Sequence, residues 1–124
     1  MSAILRLAGW LSVLAIAALS LVPGDFRPHT GISGLAEHFA AYFGTASLLT
    51  LGYWQSAGRR AIGPGLMVYA GLMEVAQLWI PGRNGQLIDF AVSSLGAFAA
   101  VILILAALSS EPVRRLVPGR FPRD

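Results

Sequence analysis

Four apolar runs, separated by short polar or glycine-proline segments, dominate the pattern of hydrophobic and polar positions along the chain. A bilayer core of about 30 Å needs roughly 20 helical residues, so runs of this length predict membrane-crossing helices once their flanks are included. None of them carries the charged face that a helix of a soluble bundle would show. We therefore predict transmembrane spans at about residues 5–22, 38–54, 62–80 and 87–108.

Composition favours the same interpretation. The chain has 124 residues, of which 56% are hydrophobic and 12% are charged. Soluble domains have about a quarter of their residues charged, and a small domain has too little interior to bury this much apolar surface. The predicted fold is all-α: one domain, a polytopic membrane bundle of four transmembrane helices.

The basic residues of this chain are nine arginines, and no lysine is present. They lie between apolar runs and do not form a solvated stripe interleaved with aromatic side chains, which argues against a nucleic-acid partner. Cysteine is absent, which excludes disulfides, thiol nucleophiles and Cys-ligated metal. The sequence predicts no metal site and no cofactor.

The arginines also predict an orientation, because cytoplasmic loops of membrane proteins carry an excess of positive charge. With a cytoplasmic N-terminus, only Arg27 and Arg83 lie outside. The arginines predicted inside are Arg6, Arg59, Arg60, Arg114, Arg115, Arg120 and Arg123. Both termini are then cytoplasmic, and residues 111–124 form a basic tail that contacts anionic membrane lipids. The alternative for the first run is a cleaved signal peptide, since Arg6 gives it a basic start.

A layer of polar side chains is predicted at the outward-facing end of the bundle. Glu74 lies inside a span, and an intramembrane ionisable residue is a functional-site candidate by default. Helix rise places five side chains at one depth: His38, Glu74, Gln77, Arg83 and Asp89. We expect Arg83 or His38 to be the partner of Glu74. The alternative is a polar clasp that only ties helices together.

The fourth span carries Asp89, Ser93, Gly96 and Ala100 along one helical face. Small residues at such spacing let helices approach closely in lipid, so Gly96 and Ala100 are predicted to be packing residues. Ser93 can reach the polar layer, as can Tyr42 in the second span. No activating base for Ser93 is evident from the sequence.

Two motifs resemble the signature of the VanZ-like family. They are Glu74-x-x-Gln77-x-x-x-Pro81-x-Arg83-x5-Asp89-x3-Ser93-x-x-Gly96 and His38-Phe39-x-x-Tyr42. Together with the helices that carry them, these motifs cover roughly residues 38–108. The family pattern usually has Lys a few residues before the histidine and Asn at the position of Ser93, and this chain departs from it at both places.

The resemblance implies a small multispanning bacterial envelope protein, from a family linked to resistance to teicoplanin, a glycopeptide antibiotic. We expect it to act on or bind a cell-envelope or lipid-linked substrate, or a glycopeptide ligand, at the outer face of the cytoplasmic membrane. In a catalytic version, Glu74 is the general acid or base, while Asp89 and His38 orient water or move a proton. The side chains expected to bind substrate are Arg83, Gln77, Tyr42 and Ser93.

The sequence leaves open whether the protein is an enzyme, and two other functions compete. One is a non-catalytic module whose polar layer binds a head group or docks a partner's helices. The other is a small proton-coupled exporter, which needs a carboxylate near the membrane midplane. Glu74 is the only candidate for that role, and it lies nearer the surface.

Overall fold

The computed structural model describes residues 1–28 and 30–110, and within them it is all-helical. Four α-helices are present: α1 (Ser2–Leu21), α2 (Gly34–Gly52), α3 (Ile62–Gln77) and α4 (Leu87–Ser109). Short 3-10 turns cover Gly24–Phe26 and Ala57–Ala61. The all-α prediction is confirmed for this part of the chain, whereas the predicted basic tail at 111–124 lies outside it.

Three helix ends differ from the predicted spans by three residues or more, and they are the starts of α1 and α2 and the end of α3. Helix α2 begins at Gly34 because Ser33 caps it, its hydroxyl accepting a hydrogen bond of 3.3 Å from the Ala36 N–H. Helix α3 has 16 residues and ends at Gln77. From Leu78 to Ile80 the backbone N–H groups bond to carbonyls three residues back. This tighter turn precedes Pro81, and the residue before a proline is disfavoured in an α-helix.

Helix α1 and helix α4 are, among the described helices, the two that are long and apolar enough to cross a membrane. Helix α2 carries Glu37 and His38 in its first turns, and α3 is about 24 Å long, short of a bilayer core. Length and composition therefore support membrane association through two helices. A bundle of four spans is a further step and remains a proposal.

Close packing of α2 against α4 forms the centre of the bundle. Ala46, Ala97 and Ala100 have no exposed surface there. A Cβ built on Gly96 would lie 2.6 Å from the backbone oxygen of Phe39, so no larger residue fits without moving a helix. Small residues therefore set the distance between α2 and α4, as they do in helix pairs within lipid.

The bundle has an apolar surface as well as an apolar core, and it also buries several polar side chains. Large apolar side chains point outward on several helices, for example Leu14 at 65% exposed, Val68 at 60% and Ile102 at 63%. Buried polar side chains occupy the interior: Thr45, Thr50, Glu74, Gln77 and Ser93. Soluble monomers rarely expose contiguous apolar surface of this extent.

The α1–α2 and α3–α4 connections meet at one end of the bundle, called here the polar end. The Gly24 N–H donates to the Pro81 carbonyl at 3.1 Å, and Gly24 packs against Gly82 with no space for a side chain. Gly82 has φ of 71°, a conformation that favours glycine. This contact holds the loop that follows α1 against the loop that joins α3 to α4.

Candidate functional site

Glu74 lies on the last full turn of α3 and is buried, at 9% exposed. Its Oε2 accepts a hydrogen bond of 2.8 Å from the backbone N–H of Gln86, the residue that precedes α4. The carboxylate therefore satisfies a donor at a helix N-terminus, where negative charge is favoured. This bond ties the end of α3 to the start of α4.

His38, in the first turns of α2, is held by two side chains of α4. Its Nδ1 lies 3.2 Å from the Ser93 hydroxyl, and its Nε2 lies 3.5 Å from Asp89 Oδ2. Asp89 and Ser93 are four residues apart and so share one face of the helix. Ser93 is 1% exposed, which keeps its hydroxyl away from solvent. Ser93 therefore positions the imidazole ring of His38.

Three helices bring His38, Glu74 and Asp89 together into what we call the charged cluster. One nitrogen or oxygen ligand atom from each residue lies within 4.8 Å of those of the other two. At that separation two ionised carboxylates repel each other by roughly 3 kcal/mol for an effective dielectric constant of about 20. A proton or a cation between them would relieve this repulsion.

Arg83 binds the C-terminal end of α1. Its Nε donates to the Val22 carbonyl at 3.0 Å, and its Nη2 donates to the Leu19 carbonyl. Leu19 lies in the last turn of α1 and Val22 is its C-cap residue, so both carbonyls lie where intrahelical donors are lacking. Burial lowers the pKa of Arg83, and the nearby Arg27 lowers it further. Of the two partners expected for Glu74, Arg83 forms no salt bridge with it among the described residues, whereas His38 lies within 4.8 Å of it.

A cavity of about 380 Å³ opens beside the charged cluster, between α1 and α2. Its wall is apolar, with Ile16, Leu19 and Ala41 among the lining residues. Its polar lining consists of Arg27, Glu37, His38, Tyr42, Gln77 and Arg83, with Ser20 and Thr30. The cavity therefore pairs a hydrocarbon-compatible wall with two guanidinium groups.

Gln77 is buried in the cavity lining, at 3% exposed. No hydrogen bond to its side-chain amide occurs within the part of the chain that the structure describes. An amide offers two donors and two acceptor positions, and those of Gln77 remain accessible from the cavity, since the fully buried side-chain atoms without a partner among the described residues are those of Thr45 and Thr50. A polar ligand in the cavity would supply the missing partners.

The rim of the cavity contains an ion pair that the sequence did not reveal. Arg27 Nη2 lies 2.5 Å from Glu37 Oε2, and the Thr30 hydroxyl donates to the other oxygen of Glu37. The hydrogen bond from Thr30 lowers the pKa of Glu37, and the one from Arg27 adds to the effect. Arg27 and Thr30 lie in an irregular loop, where no periodicity signals which side chains meet.

The side chains of the predicted layer thus separate into two groups that share His38. Asp89 and Ser93 from α4 and Glu74 from α3 lie around His38 and form one group. The cavity is lined instead by Arg83, Gln77 and Tyr42. Sequence reasoning also missed the pairing of Ser93 with His38, because the two residues are 55 positions apart on different helices.

No family model, curated protein or solved structure matches this chain. Membership of the VanZ-like family therefore stays a prediction from the two sequence motifs. The charged cluster and the adjoining cavity are the features from which a function can be inferred.

Proposed function

We propose that this chain is a VanZ-like protein of the cytoplasmic membrane whose polar end binds, or acts on, the anionic head group of a lipid-linked cell-envelope substrate. The observation that carries the proposal is the cavity, which combines an apolar wall with Arg27, Arg83 and the unpaired amide of Gln77. An amphiphile with a phosphate head group has matching chemistry, since Arg27 and Arg83 each keep guanidinium N–H groups beyond those used in their present contacts, and these can donate to phosphate oxygens.

A four-span bundle is the arrangement that best accounts for the surface of α3. Its outward side chains include Val68, Leu72 and Val75, each at least half exposed, and no charged residue lies among them. Lipid is the solvent such a face requires. The turn after α3 lengthens the proposed span. Trp79 lies in this turn and is 74% exposed, as expected for a tryptophan at the membrane–water interface.

The polar end is proposed to face outward, with both termini and the turn at Ala57–Ala61 in the cytoplasm. The support is the distribution of arginine, since seven of the nine fall on the side opposite the polar end in this topology. Reporter fusions after Gly58 and after Ser110 test it. Cytoplasmic-type signals at both positions are expected, and a periplasmic-type signal at either one would contradict the four-span topology.

If the protein is an enzyme, the charged cluster is its proposed catalytic site. In that case Glu74 transfers the proton, Asp89 with His38 orients water, and the arginines hold the phosphate. A binding module that lacks turnover is the alternative. The exporter is less well supported, because Glu74 is one turn from the end of α3, away from the midplane. A whole glycopeptide antibiotic also suits the cavity less well, since 380 Å³ is near the lower limit for drug-sized ligands.

The decisive experiment measures binding of a polyprenyl phosphate to the purified chain in lipid nanodiscs. Gln77→Leu removes the buried amide while keeping an apolar side chain of similar size, so the fold should be retained. We expect Gln77→Leu to bind at least about tenfold more weakly, as for the loss of a hydrogen bond to a charged group. Gln55→Leu, an exposed glutamine beyond the other end of α2, is the matched control and should bind normally.

Unchanged binding by Gln77→Leu, or equal weakening by Gln55→Leu, would show that the cavity is not the head-group site. The same preparation incubated with a polyprenyl diphosphate separates the enzyme from the binding module. Phosphate release that is lost in Glu74→Gln indicates catalysis, whereas tight binding without release indicates a module.

A further inference from the structure

The charged cluster has the dimensions of a metal site. Ligands bound to one tetrahedral ion at about 2.0–2.2 Å lie roughly 3.3–3.6 Å apart. His38 Nε2 and Asp89 Oδ2 are separated by 3.5 Å, too long for a good N–H···O hydrogen bond but suited to two ligands of one ion. The ligand atom of Glu74 lies within 4.8 Å of both. A side-chain movement of about 1 Å would bring it into the same sphere.

The orientation of His38 fits this role. Ser93 holds Nδ1 at 3.2 Å, and a metal-binding histidine almost always has its other ring nitrogen held by a hydrogen bond. With the proton on Nδ1, the lone pair of Nε2 faces a carboxylate oxygen of Asp89. Two acceptors that face each other need a proton or a cation between them.

Glu74 remains able to coordinate although it accepts a hydrogen bond from Gln86. An ionised carboxylate has about four acceptor positions, of which this bond uses one. The bond fixes the carboxylate on the side of α3 that faces the cluster. It therefore orients Glu74 much as Ser93 orients His38.

The charge of the cluster also calls for a cation. In the deprotonated state that metal binding requires, two carboxylates and a neutral imidazole carry a charge of −2. Arg83, which lies near Glu74, is committed to the carbonyls of Leu19 and Val22 and donates to neither acid of the cluster in the described part of the chain. A divalent ion would neutralise the cluster completely.

From these observations we propose that His38, Glu74 and Asp89 bind one divalent transition-metal ion of the Zn²⁺ or Mn²⁺ type, with Ser93 as a positioning residue. One nitrogen and two carboxylate ligands suit such ions better than Ca²⁺ or Mg²⁺, which prefer an all-oxygen shell. Three protein ligands leave a coordination position open for water, and in the metal-bound form that water would supply the proton chemistry instead of Glu74, Asp89 and His38. His38 also lines the cavity, so the ion would lie beside the head-group site.

The test uses the full chain, purified in detergent, stripped with a chelator and titrated with Zn²⁺ or Mn²⁺ alone. We expect saturable binding of one ion per chain by calorimetry, and a Co²⁺ form with the intense visible absorption of tetrahedral coordination. Asp89→Asn and His38→Ala should each weaken binding at least about a hundredfold, and Ser93→Ala about tenfold, in the range seen for residues that orient a ligand. Asp25→Asn, an exposed acid at the same end, is the matched control.

Glu74→Gln distinguishes the loss of a metal ligand from the loss of the fold. Its amide oxygen can still accept from the Gln86 N–H, while the negative charge is removed. It should keep the thermal unfolding temperature of the parent and lose the Co²⁺ absorption. The proposal is overturned if no ion binds at one per chain, or if Asp25→Asn weakens binding as much as Asp89→Asn. No lipid is needed in this assay, so its outcome is independent of the head-group proposal.

Discussion

At both ends of the bundle arginine donates to backbone carbonyls near helix ends, but the residues around the arginine differ. At the end opposite the polar end, Arg6 Nε donates to the Gly52 carbonyl at 2.7 Å, and its guanidinium lies 4.5 Å from the centre of the Tyr53 ring. Arg59 donates to the Trp54 carbonyl at 2.6 Å. At the polar end Arg83 binds the last carbonyls of α1 in the same manner.

Acidic residues distinguish the two ends. The carboxylates of the described residues, Asp25, Glu37, Glu74 and Asp89, all belong to the polar end. An arginine bound to helix-terminal carbonyls stabilises a helix end and needs no ligand to explain it. Arginine therefore caps helix carbonyls at both ends, and the charged cluster and the cavity are the features that distinguish the polar end.

The largest effect is expected from Gly96→Leu, which acts where α2 and α4 hold the polar end together. A Cβ there meets the Phe39 oxygen at 2.6 Å, so the helices must separate and His38 must leave Ser93. We expect a loss of about 3 kcal/mol or more, measured as a lower unfolding temperature in detergent. Gly44→Ala is the control, since its added Cβ meets no atom within 4 Å.

A smaller effect is expected for Arg83→Gln and Arg6→Gln. Measured side by side, these two variants test the difference between the two ends of the bundle most directly. Each variant loses a charged hydrogen bond to a helix carbonyl, so each should lose about 1.5–3 kcal/mol of stability. Only Arg83→Gln should also weaken polyprenyl phosphate binding, because only Arg83 lines the cavity. Equal binding by the two variants would show that Arg83 only caps α1 and does not bind the ligand.

The third prediction separates the contribution of the Glu74 hydrogen bond to stability from the effect of its negative charge. Glu74→Ala leaves the Gln86 N–H without its acceptor and should cost about 1–3 kcal/mol in unfolding free energy. Glu74→Gln keeps an acceptor and relieves the repulsion from Asp89, so its stability should equal or exceed that of the parent. A loss of stability as large in Glu74→Gln as in Glu74→Ala would mean that the charge itself holds the bundle together.

The smallest effect concerns Glu37, which precedes the proposed second span. Its pKa is lowered in the folded protein by Thr30 and Arg27, so its contribution to stability is present above the unfolded-state pKa of about 4.3. That contribution is lost as the pH falls through the lowered folded-state pKa. For a partly exposed pair we expect about 0.5 kcal/mol. Comparison of the parent with Glu37→Gln at pH 7 and at pH 3 should show a difference in unfolding temperature only at pH 7.

What the sequence determined by itself lies within single helices. The lengths of the apolar runs located four helices, and the spacing of three between Glu74 and Gln77 set both on one buried face of α3. The spacing of Asp89, Ser93 and Gly96 did the same for α4. These relations follow from 3.6 residues per turn, which is a local property of the chain.

Only the tertiary structure decided which of these faces meet. It placed His38 between Ser93 and Asp89, because the absence of a side chain at Gly96 lets α4 approach α2 at Phe39. It also directed Arg83 toward the carbonyls of α1 instead of toward Glu74, an outcome that depends on how the loop at Gly82 packs against the loop at Gly24. Such choices depend on contacts between residues far apart in sequence, and helical periodicity carries no information about them.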